Sequence, residues 1–170
     1  MLEVSFRLPE PGDAAAIADA QRIMALENFV FAFGYDPARD FSEWLARTEA
    51  SRLGKALAPG RVPGTFELAI VQGQVAGRLS VRHSLNEHLL QQGGHIGYGV
   101  LPAFRRQRLG TRMLRRGLEC TAALGIRSAL VTCDEDNAAS RRIIEAAGGI
   151  YESSYAGPDV RVPIRRYWIG

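Results

Sequence analysis

A strand, a basic turn and a helix follow one another between Gly94 and Leu118. The apolar stretch His95-Ile-Gly-Tyr-Gly-Val100 predicts a strand, and a helical pattern begins near Thr111 after a turn rich in arginine. About four backbone N–H groups at a helix N-terminus lack partners within the helix, and the helix dipole adds positive charge there. This junction therefore predicts a binding site for a phosphorylated ligand, and for a pyrophosphate in particular.

Arginine supplies almost all of the positive charge and is concentrated around this turn. Of the 21 basic residues 20 are arginine, although the net charge of the chain is only +3. Seven arginines lie in the range 101–127, against one acid, Glu119. This local excess predicts an anionic ligand. A solvated helix face explains the later arginines equally well, but it does not explain three cations that oppose the helix dipole, Arg105, Arg106 and Arg108.

The helix that follows argues against nucleic acid as the anionic partner. Several of its positions are apolar and predict a face that packs on a core, namely Leu109, Met113, Leu114, Leu118 and Cys120. No aromatic residue lies between the arginines to stack on bases. No nucleic-acid partner is expected.

Length and composition are those of an ordinary globular protein. The 170 residues suit one domain, 1–170, and the chain is 46% apolar and 23% charged. No run approaches the ~20 apolar residues that span a bilayer, and the N-terminus has no signal-peptide pattern. A cytoplasmic location without a membrane partner is expected. Cys120 and Cys133 lack metal-ligand spacing, so no metal site is expected.

Alternating strand and helix patterns predict an α/β fold of three layers, in which a mixed central β-sheet is flanked by helices. Asp13, and Asp40 with Glu43 three residues later, mark helix starts, whereas Gly125 and Gly148 mark helix ends. Strands are predicted over 3–8, 66–71, 75–81, 95–101, 129–133, 150–155 and 160–169, and helices over 14–28, 41–57, 109–124 and 138–147.

Two motifs give the chain a resemblance to the GNAT superfamily of acyl-CoA N-acyltransferases. The first reads Val100-Leu-Pro-Ala-Phe-Arg-Arg-Gln-Arg-Leu-Gly-Thr111, and the second reads Asn137-Ala-Ala-Ser140 before a helix that closes at Gly148. Both occur at the family's spacing, and the order of predicted elements matches over nearly the whole chain. The stretch 79–99 is similar to bacterial members of the superfamily.

The resemblance implies acetyl-CoA as the cofactor and indicates which residues hold it. Backbone amides of the turn would bind the pyrophosphate, and the strand before it would pair with the pantetheine arm. The second motif would bind pantetheine or cap its helix. The residues implied are Tyr98, Gly99, Val100, Arg105, Arg106, Gln107, Arg108, Leu109, Gly110, Thr111, Asn137 and Ser140.

The resemblance also implies direct transfer of an acetyl group to a primary amine of a small molecule or peptide. Two departures from the family pattern keep open an alternative, a catalytically weak module that senses acyl-CoA. Arg108 replaces a glycine, and we expect it to adopt helical backbone angles and to reach a phosphate with its guanidinium. Ile144 stands where many members have a tyrosine that protonates the leaving thiolate.

The transfer needs a base that deprotonates the ammonium group and an acid that protonates the leaving thiolate. His95 is the candidate base, because imidazole titrates near neutral pH. A structural role for His95 is equally open, and His83 or Glu87 could act through water. Tyr155 is the candidate acid, and Tyr151 and Ser153 are the other nearby candidates. Packing is the other interpretation of each tyrosine.

Aromatic and basic residues elsewhere are candidates for the acceptor site. Four arginines either attract a carboxylate or are solvated strand residues, namely Arg78, Arg82, Arg165 and Arg166. The C-terminal strands predict exposed edges and, with them, a possible homodimer. Four aromatic residues of one connector either form a wall of the acceptor site or cap the core, namely Phe29, Phe31, Phe33 and Tyr35.

Overall fold

The computed structural model describes residues 3–170, which form one mixed sheet with helices on both faces. The strands are β1 Val4–Arg7, β2 Gly64–Val71, β3 Gln74–Arg82, β4 Ile96–Val100, β5 Ala129–Asp134, β6 Ile150–Tyr155 and β7 Ile164–Ile169. The helices are α1 Ala14–Ala25, α2 Phe41–Arg52, α3 Glu87–Gln91, α4 Leu109–Ala123 and α5 Ala138–Ala146. The strand order is β1-β2-β3-β4-β5-β7-β6, and among these neighbours only β4 and β5 run parallel. The predicted three-layer α/β fold is confirmed.

Two hydrophobic cores separate the three layers. Helices α4 and α5 cover one face of the sheet, where Met113 of α4 packs among residues that include Ile96 and Tyr167. Helices α1 and α2 cover the other face, with Ile17 and Trp44 in its core. The longest described helix, α4, has 15 residues and is amphipathic, and no helix within residues 3–170 is long and apolar enough to cross a membrane.

Three predicted element ends are wrong by several residues. Helix α2 stops before position 57 because Gly54 adopts a φ of +69°, which ends the helix in a left-handed turn. The first helix ends at Ala25 instead of 28. The last strand begins at Ile164 instead of 160, since Pro163 has no N–H to donate to a ladder.

Candidate functional site

The two parallel strands β4 and β5 separate after a single register pair. Ile96 lies opposite Val131, and just before it the N–H of His95 donates to the carbonyl of Leu130 at 2.7 Å. Beyond this point no register pair joins the described residues of the two strands. We call this opening the β4–β5 cleft. Because buried backbone groups need partners, the cleft is suited to an extended ligand that offers its own amides.

The turn between β4 and α4 has a backbone conformation that differs from our expectation. Arg108 has a φ of 60° and a ψ of 15°, so the prediction of right-handed helical angles for this residue is wrong. Arg106 also has a φ of 60°, with Gln107 on the negative side between them. A left-handed conformation costs a non-glycine residue about 1–2 kcal/mol. This cost gives the physical reason why a glycine is expected at position 108.

The turn leaves a set of backbone N–H groups without acceptors. Within residues 3–170, the N–H groups of 106–111 donate to no backbone or side-chain acceptor, and the first bond of α4 joins the Arg112 N–H to the Arg108 carbonyl at 3.2 Å. Alternating positive and negative φ values direct successive N–H groups to one side, which makes a concave anion site. We call these groups the 106–111 amide cluster. They suit a pyrophosphate, and the dipole of α4 adds to the attraction.

Arg105 anchors the turn to the rest of the fold. Its Nη1 and Nη2 donate to the carboxylate of Glu27 at 2.9 and 2.5 Å, and its Nε donates to the carbonyl of Val100 at 3.1 Å. These hydrogen bonds hold the pKa of Glu27 below its usual range. The guanidinium of Arg105 is therefore committed to Glu27, whereas Arg106 and Arg108 carry exposed side chains.

Helix α5 is joined to β4 by one side-chain hydrogen bond. The hydroxyl of Tyr98 lies 3.0 Å from Oγ of Ser140. Asn137 caps α5, since its Oδ1 accepts from the Ser140 N–H at 3.0 Å. Burial raises the pKa of Tyr98 to about 12, which keeps the phenol protonated at neutral pH. Capping, one of the two roles considered for Asn137, is confirmed.

Two glycines allow close packing beside the cleft. A Cβ on Gly99 would lie 2.5 Å from two ring atoms of Phe29, so this ring sits directly on β4 from the α1 side. A Cβ on Gly110 would lie 2.9 Å from Cδ1 of Ile143, so the first turn of α4 packs closely on α5. Bulkier residues at either position would displace these neighbours.

His95 is buried at the head of β4 and is hydrogen bonded to β5. Its Nδ1 accepts the N–H of Leu130 at 2.9 Å, which places the ring hydrogen of the neutral imidazole on Nε2. Burial, and then the charge of Arg82, lowers the pKa of His95. This arrangement favours the structural interpretation of His95, because Nδ1 is not available to accept a proton from a substrate amine.

Tyr155 lies at the opposite end of the strands from His95. It pairs with Ile164, which pairs in turn with Asp134, whereas His95 is bonded to Leu130. Leu130 and Asp134 are four residues apart on β5, or roughly 13 Å. The structure therefore does not bring the two predicted catalytic residues together. Tyr155 does share a sheet face with Asp134, since paired residues point to the same side.

The other candidates for proton transfer are distributed over different surroundings. Nε2 of His83 lies 2.8 Å from Oγ1 of Thr65, and Glu87 is exposed in α3. Tyr151 packs against Tyr167 on the α5 side of the sheet, with ring centroids 5.6 Å apart. None of these contacts positions a titratable group at the cleft.

Asp134 ends β5 on the side of the sheet away from α5. Burial, and then the charge of Asp136, raises the pKa of its carboxyl. A carboxyl with a raised pKa beside a cleft is a candidate general base. Its sequence signal is weak, because an acidic run after a strand is also a common polar turn.

The four aromatic residues between α1 and α2, which were predicted either to cap the core or to line the acceptor site, have different surroundings. Phe31 is fully buried in the α1–α2 core, as the core interpretation predicted. Phe29 and Phe33 instead lie against Arg78, with its Cζ 4.7 and 4.6 Å from their ring centroids. Tyr35 packs against Trp44 at 6.2 Å.

Comparison with known families shows to which family the chain belongs. The family model of the acetyltransferase (GNAT) domain matches residues 3–150, which is most of the chain. The chain belongs to the GNAT family. GNAT acetyltransferases use acetyl-CoA and act on small-molecule or peptide acceptors, so acetyl-CoA is the cofactor of this protein. No curated protein sequence matches the chain closely enough to be a relative.

Solved GNAT structures share the fold over nearly the whole chain. A putative acetyltransferase from Salmonella typhimurium with its cofactor acetyl-CoA has 18% identity and a TM-score of 0.65, over 98% of this chain and 92% of that one. The ribosomal-protein-S5-alanine acetyltransferase from Vibrio fischeri has 14% identity and a TM-score of 0.70, over 99% and 93%. Mycobacterium smegmatis RimJ in complex with CoA-disulfide has 18% identity and a TM-score of 0.69, over 98% and 81%. At these identities the likeness establishes the fold.

Proposed function

We propose that this GNAT protein is an N-acetyltransferase that moves the acetyl group of acetyl-CoA to a primary amine of a small molecule or peptide by direct attack. The observation that carries the proposal is the β4–β5 cleft leading to the 106–111 amide cluster. The cleft suits an extended arm with its own amides, and the amide cluster suits the pyrophosphate at the end of that arm.

Different residues of this chain would bind different parts of acetyl-CoA. Tyr98, Gly99 and Val100 would pair their backbone groups with the pantetheine arm, and the 106–111 amide cluster would bind the pyrophosphate. Arg106 and Arg108 would add charge at the same turn. Bound acetyl-CoA supplies the thioester carbonyl, and positioning the amine beside it accounts for much of the expected rate.

Two residues on one sheet face are proposed for the proton transfers. Asp134 would accept a proton from the ammonium group, through a water molecule, because its carboxyl has a raised pKa at the end of β5. Tyr155 remains the proposed proton donor, on the same face and separated from Asp134 by Ile164. His95 would support the strand pair instead, through its bond to Leu130.

The activity is tested by release of free thiol from acetyl-CoA in the presence of a panel of amines. Acetylated product identified by mass spectrometry would establish the transfer. Cofactor binding is tested separately by calorimetry with coenzyme A. The double variant Arg106→Glu/Arg108→Glu should weaken binding ~10-fold or more, because it reverses charge at the amide cluster. Arg127→Glu, a control at an exposed position after α4, should change binding less than ~3-fold.

A catalytically weak acyl-CoA sensor is the second candidate. It is favoured by Ile144, which is fully buried in the core between α5 and the sheet and offers no proton donor. A sensor would bind coenzyme A with the affinity of the enzyme but release no thiol with any amine. The thiol assay therefore separates the two functions.

The remaining proposals concern the state of the protein in the cell. We infer a single domain over 1–170, a cytoplasmic location and a homodimer formed through the edge strand β6. Support for the dimer comes from Ile150 and Tyr151 on that strand, which are 74% and 47% exposed. Sedimentation of the protein with and without coenzyme A tests the oligomeric state.

A further inference from the structure

Two neighbouring arginines on β3 are buried without a carboxylate. Arg78 is 4% exposed, and Arg82 is partly buried on the same face of β3, with Ser80 between them on that face. Within residues 3–170 neither guanidinium forms an ion pair, and the Nε of Arg78 is buried without a hydrogen-bond partner. We call these two residues the arginine pair.

Two other partly buried arginines of this protein are neutralised by carboxylates. Arg116 donates to both carboxylate oxygens of Glu67, and Arg165 lies 2.6 Å from the carboxylate of Glu135. Removing a cation from water without a counter-ion is unfavourable, so proteins usually pair such groups. Arg78 is more deeply buried than Arg116 and Arg165 and has no such partner, which points to a ligand as its counter-ion.

Hydrogen-bond capacity is also left over at the arginine pair. A guanidinium has about five N–H donors. Arg78 donates to the carbonyls of Gly97 at 3.4 Å and Val30 at 3.1 Å, and Arg82 donates to the carbonyl of Gly93 at 2.9 Å. More than half of these donors therefore have no acceptor among residues 3–170. Burial, with a smaller effect of Arg82, lowers the pKa of Arg78 to about 9, as expected for a cation without a counter-ion.

The arginine pair lies directly over β4 at the cleft. A Cβ on Gly97 would lie 3.1 Å from Nη1 of Arg82 and 3.5 Å from Nη1 of Arg78. Since Gly97 is one residue beyond Ile96, where β4 and β5 begin to separate, the guanidiniums flank the start of the cleft. They occupy the face covered by α1 and its connector, away from α4 and α5. An acceptor approaching the cleft from this face meets them.

Aromatic rings fix the position of Arg78 in this site. Its Cζ lies 4.7 Å from the ring centroid of Phe29 and 4.6 Å from that of Phe33, and the ring of Phe33 is also 5.9 Å from Cζ of Arg82. Such contacts hold the flat guanidinium by its faces and leave its N–H edge for a planar anion. Apolar walls also reduce screening by water, which strengthens an ion pair formed there.

We propose that the acceptor is a small amine that carries a carboxylate, and that Arg78 and Arg82 bind this carboxylate while the amine faces the cleft. The inference rests on the proposed acetyltransfer and specifies its substrate class. A carboxylate is a planar anion that accepts two parallel N–H donors of a guanidinium. Polyamines are disfavoured, because two guanidiniums repel an acceptor that is cationic throughout.

The experiment compares amino acids with their amides on protein saturated with coenzyme A. Each acid and its amide share the same amine and differ in the negative charge. At least one L-amino acid should raise the midpoint of thermal unfolding, while its amide and spermidine should not. Calorimetry with that amino acid should show affinity falling ~30-fold or more in Arg78→Met, which corresponds to loss of a charged pair. Arg127→Met, a matched control at an exposed position, should bind it normally.

Several results would overturn the inference. They are an equal rise of the unfolding midpoint with the amides, a larger rise with spermidine, or no rise with any amino acid. If Arg78→Met does not fold, Arg82→Met carries the same expectation, and the comparison of acid with amide needs no variant. A purely structural Arg78 would lower stability on substitution without changing the preference for acid over amide. Thiol release with amides alone would contradict this inference but leave the proposed activity standing. Binding of an amino acid to the arginine pair without thiol release would instead contradict the proposed activity.

Discussion

The hydroxyl of Tyr98 on β4 lies 3.0 Å from Oγ of Ser140 on α5, and this is a side-chain hydrogen bond between the two elements beside the cleft. Ser140 also donates its backbone N–H to the cap residue Asn137. The strand that would pair with pantetheine and the helix that closes the site are thus connected through a single serine.

Tyr98→Phe and Ser140→Ala should each destabilise the protein by about 1 kcal/mol, the ordinary net value of a partly buried hydrogen bond. The double variant should cost less than the sum, because both changes remove the same bond. Urea unfolding of the four proteins measures this coupling. Strictly additive losses would show that the two hydroxyls do not stabilise each other.

Position 108 allows a test of the left-handed turn. Arg108→Ala and Arg108→Gly both remove the guanidinium, but only glycine adopts a φ of 60° without strain. The alanine variant should therefore be less stable than the glycine variant by about 1 kcal/mol. Thermal unfolding measures the difference. Equal stabilities would mean that residue 108 is not left-handed in solution.

Gly99 is expected to tolerate no side chain while Phe29 is in place. Gly99→Ala should destabilise the protein by about 1–3 kcal/mol, because the new methyl group would lie 2.5 Å from the ring. Adding Phe29→Ala should recover part of this loss. Gly12→Ala is the control, since its Cβ would meet nothing within 4 Å. A loss at Gly99 that persists without the Phe29 ring would contradict the packing described.

His95 should make stability depend on pH in the acid range. Its pKa is lowered by burial, so its contribution is complete above the unfolded-state value of about 6.5 and is lost as the pH falls towards the folded-state value. His95→Asn offers a similar acceptor to the Leu130 N–H without titrating. The drop in melting temperature between about pH 7.5 and about pH 5 should be smaller in this variant than in the parent.

The same variant separates a structural from a catalytic His95. Turnover by His95→Asn should stay within ~3-fold of the parent if the histidine only supports β5, since a lost general base typically costs ~100-fold or more. His88→Asn, at an exposed histidine of α3, serves as the control. A large loss of turnover with unchanged coenzyme A binding would restore His95 as the base.

Asp134 should be needed for turnover and not for binding. Asp134→Asn is expected to lower kcat ~100-fold or more while coenzyme A affinity stays unchanged. The control is Asp159→Asn, an exposed acid between β6 and β7. Comparable activities of the two variants would exclude Asp134 as the base. In the parent, the rate should rise with pH through the raised pKa of Asp134, because the base acts in its ionised form.

The part of the site that lies along the chain could be predicted from the sequence. The strand, the basic turn and the helix of residues 94–118 follow from apolar periodicity and from the unpaired amides at a helix start. Such features depend on neighbours in sequence. The conformation of Arg108 was predicted wrongly, because a guanidinium gives no local sign that its backbone is left-handed.

The relations across the fold were decided by tertiary structure. His95 and Tyr155 were equally suitable by residue type, yet strand register places them at opposite ends of the sheet. Arg78 and Arg165 have the same alternating strand pattern, and only packing shows that Arg165 has Glu135 as a partner while Arg78 has no carboxylate.

The sequence by itself determined the fold class, the family and the position of the basic turn before α4, because periodicity, caps and motif spacing are properties of short stretches of chain. Only the tertiary structure decided that Asp134 and Tyr155 share a face of the sheet and that Arg78 has no carboxylate partner among residues 3–170. Those outcomes depend on residues far apart in sequence, whose charges and distances are set only when the strands pair.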